Sequence, residues 1–196
     1  MIKRYRPRAN SWLFVCLASV MLMLLASCQS VAPPEQAALK QLLILVDQRL
    51  SVAPLVAKAK WNSGAPIDDP AREKLILDAV AMQAAQAGVN AAFARAFFQA
   101  QFDAGKLMQS TLHEQWRSAG QPHFIDAPDL GRDIRPVLDR LTPQIIATLG
   151  TVYPVLHQTS VNEFIEAQGQ KLVRGDVGGA VRSRALSPLI GAVPSH

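Results

Sequence analysis

Arg49 and Lys60 stand eleven residues apart in RLSVAPLVAKAKW, where Leu50, Val52, Ala53, Leu55, Val56, Ala57 and Ala59 are all apolar. At about 3.6 residues per turn, that spacing is close to three full turns of helix. The two cations therefore share one side of it, roughly 16 Å apart along the axis. The apolar positions between them predict a helix buried over most of its surface, with Lys58 marking the solvent side. Cations facing an apolar bundle interior are costly unless something anionic compensates them. Either internal carboxylates do so, or the site awaits an anionic ligand.

The helical period extends on both sides of this stretch. Leu39, Leu42, Leu43, Val46 and Leu50 predict a helix from Glu35 to about Asn62, kinked at Pro54 rather than ended there. After the loop Asn62–Pro66, Asp69 and Pro70 supply an N-cap and a first helical residue, and that helix stops at Gly88. Asn90 caps a long helix to Ser118, in which the phenylalanines Phe93, Phe97, Phe98 and Phe102 read as core. Asp129 caps another over Leu130 to Leu149, ended by Gly150, and Thr151 to about Val173 reads as helical again. Residues 175–196 are rich in Gly, Ser and Pro, and are either frayed or a minor helix. No stretch after the first 27 residues alternates as a strand would. The expectation is one all-α domain over residues 35–174, a single bundle of about five to six helices, with 175–196 as a C-terminal tail.

The first 27 residues read as a leader. Lys3, Arg4, Arg6 and Arg8 precede an apolar run from Trp12 to Leu25, too short for a comfortable membrane span. The run ends in Leu25-Ala26-Ser27-Cys28, which resembles the lipobox of bacterial lipoproteins. By that resemblance residues 1–27 are a lipoprotein-type signal peptide, Cys28 is lipidated, and residues 28–34 are a tether to the membrane. An ordinary secretory peptide cut nearby is the competing reading. Four of the 20 basic residues leave with the leader and all 15 acidic ones stay, so the mature chain is near +1. A nucleic-acid partner loses its main support. Cys16 leaves with the leader too, so no disulfide or thiolate metal site is expected. His113, His123, His157 and His196 lie far apart without ligand spacing, and no metal site is expected from them either.

Beyond Lys60 come Trp61 and then PIDDPARE, residues 66–73. The order Arg, eleven residues, Lys, a Pro-containing loop, Asp, then Arg-Glu at a helix start resembles the all-helical class of chorismate mutases. The resemblance is closer still to their secreted, periplasmic subclass, single chains about twice the length of the short cytoplasmic enzymes. It covers Leu42 to about Ile146, is strongest in RLSVAPLVAKAKW and PIDDPAR, and extends through AFFQAQFDAGKLMQ. It implies rearrangement of chorismate, a small dianion, to prephenate, the branch of aromatic amino acid synthesis leading to Phe and Tyr, here outside the cytoplasm. The shift is pericyclic and intramolecular, so no cofactor is implied.

By similarity, Arg49 grips a substrate carboxylate, and Lys60 bridges a carboxylate and the ether oxygen. Arg72 adds its guanidinium or backbone N–H at a helix N-terminus. Asp69 and Glu73 match positions near the ring hydroxyl, and Gln109 the donor to the ether oxygen. Gly105 stands where relatives often carry Ser or Thr, and Ile76 where some carry Gln. Arg135 matches the arginine that short relatives borrow from a second subunit; placing it needs a one-residue shift near Gly131, and Arg132 competes for the role. At the family level the resemblance implies a homodimer whose sites each lie within one chain. The rival reading is a non-catalytic, helical periplasmic lipoprotein that binds a small anion or a protein partner.

Overall fold

The computed structural model describes residues 31–174 and 179–191. The leader and Cys28 lie outside the described residues. The described residues contain no strand, in keeping with the all-α expectation. They form α1 (Pro33–Ser51), α2 (Ala53–Ser63), α3 (Pro70–Gln86), α4 (Ala91–Ser118), a π turn (Leu130–Ile134), α5 (Arg135–Val152), α6 (Thr159–Leu172) and α7 (Ala180–Leu186). Short 3-10 turns follow α5 (Tyr153–Val155) and α7 (Ser187–Leu189).

Val52 alone separates α1 from α2. Pro54 has no N–H to donate back to Leu50, so the chain breaks there and at once resumes its helix. Counted as one broken helix, the pair brings the described bundle to six. The expected caps are in place. The Asp69 carboxylate accepts from the Arg72 N–H at 3.2 Å, and Asn90 Oδ1 accepts from the N–H groups of Ala92 and Phe93 at 2.9 and 3.0 Å. Gly64 and Gly88 turn the chain out of α2 and α3 with φ of 69° and 74°.

α1 is the central helix. Its Leu39, Leu42, Leu43, Leu45 and Val46 are all buried, packed against α5, α6 and α4. α4 in turn packs against α2, α3 and α7. Val181, Ala185, Leu186 and Leu189 of the C-terminal segment join the main core, so the described part of that segment is a helix docked on the body. The apolar reading of α2 needs correction: Ala53, Ala57 and Ala59 are buried, but Leu55 is 44% exposed. Crossing the break at Val52 turns α2 so that only its alanine face meets α4. The small side chains let the two helices pack closely.

The loop from 119 to 129 is fastened to this surface through both backbone polar groups of one residue, Phe124. Asn62 Nδ2 donates to the Phe124 carbonyl at 2.7 Å, and the Phe124 N–H donates to Asn62 Oδ1 at 2.8 Å. Trp116 stacks edge-on against Phe124 and Trp61, and His113 lies against both tryptophans. Lys58 reaches over the Phe124 ring to Asp126. The fastened loop delivers the chain to the π turn at a fixed place. There Asp129 accepts from the Arg132 N–H at 2.7 Å, and Asp133 Oδ2 accepts from the Asp129 N–H at 2.9 Å.

Gly150 does not end a helix, as its residue type suggests, but lies inside α5. A Cβ there would meet the backbone carbonyl oxygen of Ala87 at 2.7 Å, so the glycine is needed for close approach rather than for a turn. Gly150→Ala gains helix propensity of about 1 kcal/mol but must force a backbone away, which typically costs about 1–3 kcal/mol. Urea denaturation should therefore show a net loss of stability. Gly105→Ala is the opposite control, because its new methyl would meet only Gln109 Nε2 at 3.8 Å; it should gain roughly 0.5–1 kcal/mol. A Gly150→Ala protein as stable as wild type would show that this helix contact is looser than described.

Candidate active site

One cavity of about 180 Å³ is enclosed by the end of α1, the inner face of α2, the start of α3, the middle of α4 and the π turn with the start of α5. Arg49, Lys60, Asp69, Arg72, Glu73, Gly105, Gln109 and Arg135 all line it. The residues singled out in the sequence thus meet in one place, though they come from five segments spread over 87 positions of chain, from 49 to 135. Arg132 does not line the cavity; its guanidinium turns outward to Asp133 at 2.9 Å. The one-residue shift that the resemblance needs near Gly131 coincides with the π turn, where the Arg135 N–H reaches back five residues to the Leu130 carbonyl. A π turn is one extra residue accommodated within a helical path. Ile134, inside it, packs with Val52 and Ala59 beneath the cavity, which holds Arg135 to the cavity side.

Arg49 is the most constrained side chain of the group. It is only 9% exposed, and among the described residues its guanidinium has no hydrogen-bond or ion-pair partner. It lies over two aromatic rings of α4, 5.8 Å from the centre of Phe98 and 5.3 Å from that of Phe102. Phe102 is therefore a wall of the cavity as well as a core residue. Burial draws the Arg49 guanidinium down to about 10, and the charge of Asp139 partly opposes that fall. It remains a cation at neutral pH.

Lys60 is half-buried, and its Nζ donates to the Ile67 carbonyl at 2.6 Å. Desolvation lowers its pKa, while Asp69, Asp68 and Glu73 hold it up and Lys106 pushes it down. Arg72 reaches Asp139 at 3.9 Å. Gln109 is buried, with Nε2 donating to the Gly105 carbonyl at 3.1 Å and Oε1 without a partner. An amide nitrogen carries two N–H groups, so the second remains available to a ligand. The bond it makes is also supplementary, because the Gly105 carbonyl is already the helical acceptor of the Gln109 backbone N–H.

Among the lining residues that escaped the sequence reading, three carry a charge or an amide. Asp139 falls one turn beyond Arg135 on α5, and that spacing could have found it. Lys106 follows Gly105 and points to the cavity mouth. Gln101 is 2% exposed, sits one turn before Gly105 on α4, and donates Nε2 to the Ala185 carbonyl of α7 at 2.8 Å. Its partner is 84 positions away, so nothing local in the sequence signals it.

The lining carries five cations, Arg49, Lys60, Arg72, Lys106 and Arg135, against three carboxylates, Asp69, Glu73 and Asp139. A formal excess of two positive charges in a largely apolar, partly enclosed cavity suits a small dianion. Arginine forks bind carboxylates bidentately. Lys60 and Gln109 supply uncommitted N–H groups for an oxygen that gains charge. Among the described residues that line the cavity none is a thiol or an imidazole, and Thr142 supplies the one hydroxyl.

Comparison with known proteins agrees with this chemistry. The family profile described as chorismate mutase type II matches residues 40–110, which hold every lining residue from α1 to α4. The secreted chorismate mutase of Mycolicibacterium smegmatis is 34% identical over 146 residues, covering 72% of this chain and 78% of that protein. The crystal structure of chorismate mutase from Burkholderia thailandensis superposes with a TM-score of 0.70 at 38% identity, over 78% of this chain and 98% of that one. That of chorismate mutase from Burkholderia phymatum gives 0.66 at 27% identity, over 80% and 98%. With a relative at this identity matched over most of both chains, the protein belongs to the chorismate mutase type II family, alongside its secreted members.

Proposed function

We propose that this protein is a chorismate mutase, an isomerase converting chorismate to prephenate in the cavity between α1, α2, α3, α4 and α5. The observation that carries the reading is a buried Arg49, unpaired among the described residues, in one cavity with Lys60, Arg72, Gln109 and Arg135. The substrate supplies the two negative charges that the lining lacks. Its rearrangement breaks a C–O bond and makes a C–C bond within one molecule, so no nucleophile, proton or electron is exchanged with the protein.

Two tasks remain for the residues. The first is orientation: the ether side chain must be held over the ring, and a rigid set of cations gripping both carboxylates does this. Arg49 takes one carboxylate; Arg135 takes the other, with Arg72 and its helix N-terminus alongside. The second is electrostatic: the ether oxygen gains negative charge as its bond to the ring breaks. Lys60 Nζ and the free N–H of Gln109 donate to it. Asp69 and Glu73 accept from the ring hydroxyl, the one hydrogen-bond donor on the dianion. Gly105 offers no hydroxyl, and the space beside it is open to a water.

The relatives named secreted enzymes support a place outside the cytoplasm. Within that, a lipid anchor at Cys28 and residence in the outer membrane rest on the lipobox-like LASC and on Gln29, which is not the Asp that retains lipoproteins at the inner membrane. In cell fractionation the protein should partition with membranes, and Cys28→Ser should be released or left unprocessed. A soluble wild-type protein with a mature N-terminus other than residue 28 would remove the anchor. A homodimer rests on the family resemblance alone; that each site lies inside one chain rests on Arg135 lining the same cavity as Arg49, Lys60 and Arg72.

A direct assay of chorismate conversion tests the activity. Lys60→Ala should lower kcat roughly 100- to 1,000-fold, the usual loss when one donor to a developing oxyanion is removed. Circular dichroism should stay unchanged, since deleting a half-buried cation also relieves a desolvation cost. Turnover above about a tenth of wild type would refute the role of Lys60.

Gln109 makes a sharper test. An amide donates at any ordinary pH, so the wild-type rate should be flat from about pH 5 to 8. Glu at this position donates only when protonated. Gln109→Glu should therefore be active at low pH and lose rate as pH rises through the pKa of the new carboxyl, which burial raises and Lys60 lowers. If Gln109→Glu matches wild type at pH 8, Gln109 does not face the ether oxygen.

A further inference from the structure

Lys106 stands at the cavity mouth, 25% exposed, in the midst of carboxylates from three segments. Its Nζ lies 3.2 Å from Glu73 Oε2 on α3, 3.3 Å from Asp68 Oδ1 in the loop before α3, and 3.6 Å from Asp103 Oδ1 one turn back on α4. Burial lowers the Lys60 pKa; Asp69, and after it two of these same partners, Asp68 and Glu73, oppose that fall, while Lys106 adds to it. Lys60 and Lys106 thus draw on the same carboxylates. Glu73 is the deeper of the shared pair, its side chain 18% exposed against 72% for Asp68. A cation that binds substrate is useful only while its own protein leaves it free. A carboxylate within reach of Lys60 competes with the substrate's carboxylate for the same N–H groups.

We propose that Lys106 is a positioning residue that holds Glu73, and with it Asp68, away from Lys60, so that Lys60 stays open to a dianionic substrate. The assignment rests on the mutase reading for the identity of the dianion. The contacts themselves need only the geometry. Lys106 makes them across α3 and α4, two helices that pack directly on each other, and it therefore also fixes which rotamer Glu73 presents to the cavity. With Lys106 gone, Glu73 loses its side-chain hydrogen bond and the cation it pairs with, and Lys60, which already feels its charge, is the partner the proposal assigns to it.

Steady-state kinetics of the full chain with chorismate tests this. Lys106→Met should raise KM about tenfold and lower kcat less than about threefold, the pattern of lost ground-state binding rather than lost transition-state contact. Lys106→Arg, which keeps the charge, should stay within about twofold of wild type. Adding Glu73→Gln to Lys106→Met removes the freed carboxylate, and KM should return to within about threefold of the Glu73→Gln single variant. An unchanged KM in Lys106→Met overturns the proposal. So does a raised KM that Glu73→Gln fails to lower, because Lys106 would then be touching the substrate itself.

A second readout needs no turnover. Lysine side chains labelled with 13C at Cε, with Lys60 assigned through Lys60→Arg, report its titration by NMR. Loss of the Lys106 charge by itself raises the Lys60 midpoint, so the informative quantity is the coupling: Glu73→Gln should lower that midpoint more in the Lys106→Met background, where Glu73 pairs with Lys60, than in the wild type. An equal Glu73→Gln shift in the two backgrounds overturns the proposal even if the wild type converts no chorismate, an outcome that would sink the mutase reading alone. Should Lys106→Met fail to give a cooperative thermal melt, Lys106→Gln carries the same comparisons.

Discussion

A buried guanidinium is the constraint on which the structure depends. Taking an arginine out of water costs on the order of several kcal/mol even after relaxation, and Arg49 recovers only part of that from its surroundings. Two phenylalanine faces give it cation–π contact, each worth about 0.5–2 kcal/mol, and Asp139 supports its charge from α5. Nothing among the described residues hydrogen-bonds it. The remaining cost is carried by the rest of α1, which buries six further apolar residues against three other helices. Arg49 sits two residues from the end of that helix, so the same packing that stabilises the bundle fixes the guanidinium in place. An anionic ligand then gains a preorganised partner whose desolvation has already occurred on folding.

The other charges follow from that first one. An enclosure containing only cations would repel itself; one with equal numbers of each sign would hold no dianion. Here the carboxylates stand at the rim: Asp69 is committed to the cap of α3, Glu73 to Lys106, and Asp139 lies near Arg72. Each supports a neighbouring cation while the deep end, at Arg49, is left without one in contact. The gradient from a mixed rim to a positive interior is the arrangement that draws a small anion inward. It also keeps Lys60 charged: its burial acts against its proton, and Asp69, Asp68 and Glu73 act for it.

How much of this was legible in the sequence depends on the range of the signal. Helix starts at Asp69 and Asn90 were readable because a cap is a contact between neighbours in sequence. Arg49 and Lys60 were readable as a pair because helical geometry fixes their spacing, although the break at Val52 divides them between two helices. Gly150 was misread because a glycine needed for close approach and one needed for a turn look alike until the partner, Ala87, is known. Leu55 was expected inside and lies outside, since the break at Pro54 resets the face that α2 presents. Arg135 was reached only through the resemblance. Its odd register is explained by a π turn, which nothing in LGRDI announces. Lys106 and Gln101 were missed because their partners lie 33 and 84 positions away.

Gln101 shows why a bundle of this size is needed for a cavity this small. The reaction uses no side-chain chemistry, so rate depends on how rigidly the donors are held, and a donor displaced by about 1 Å can lose 100-fold. α4 carries Phe102, Gly105, Lys106 and Gln109 on the cavity side, and its long middle section would be free to shift if it were held on that side alone. Gln101, at the edge of the same cavity, ties the helix to α7, with Nε2 committed to the Ala185 carbonyl and Val181, Ala185 and Leu186 buried in that segment. Gly169 of α6 lets Leu186 approach closely, since a Cβ there would meet Leu186 Cδ1 at 2.8 Å. The segment least legible in the sequence is thus the outer support of the helix that supplies five of the 22 residues lining the cavity. Rigidity at Gln109 thus depends in part on the packing of α7 against α4 and α6, outside the cavity.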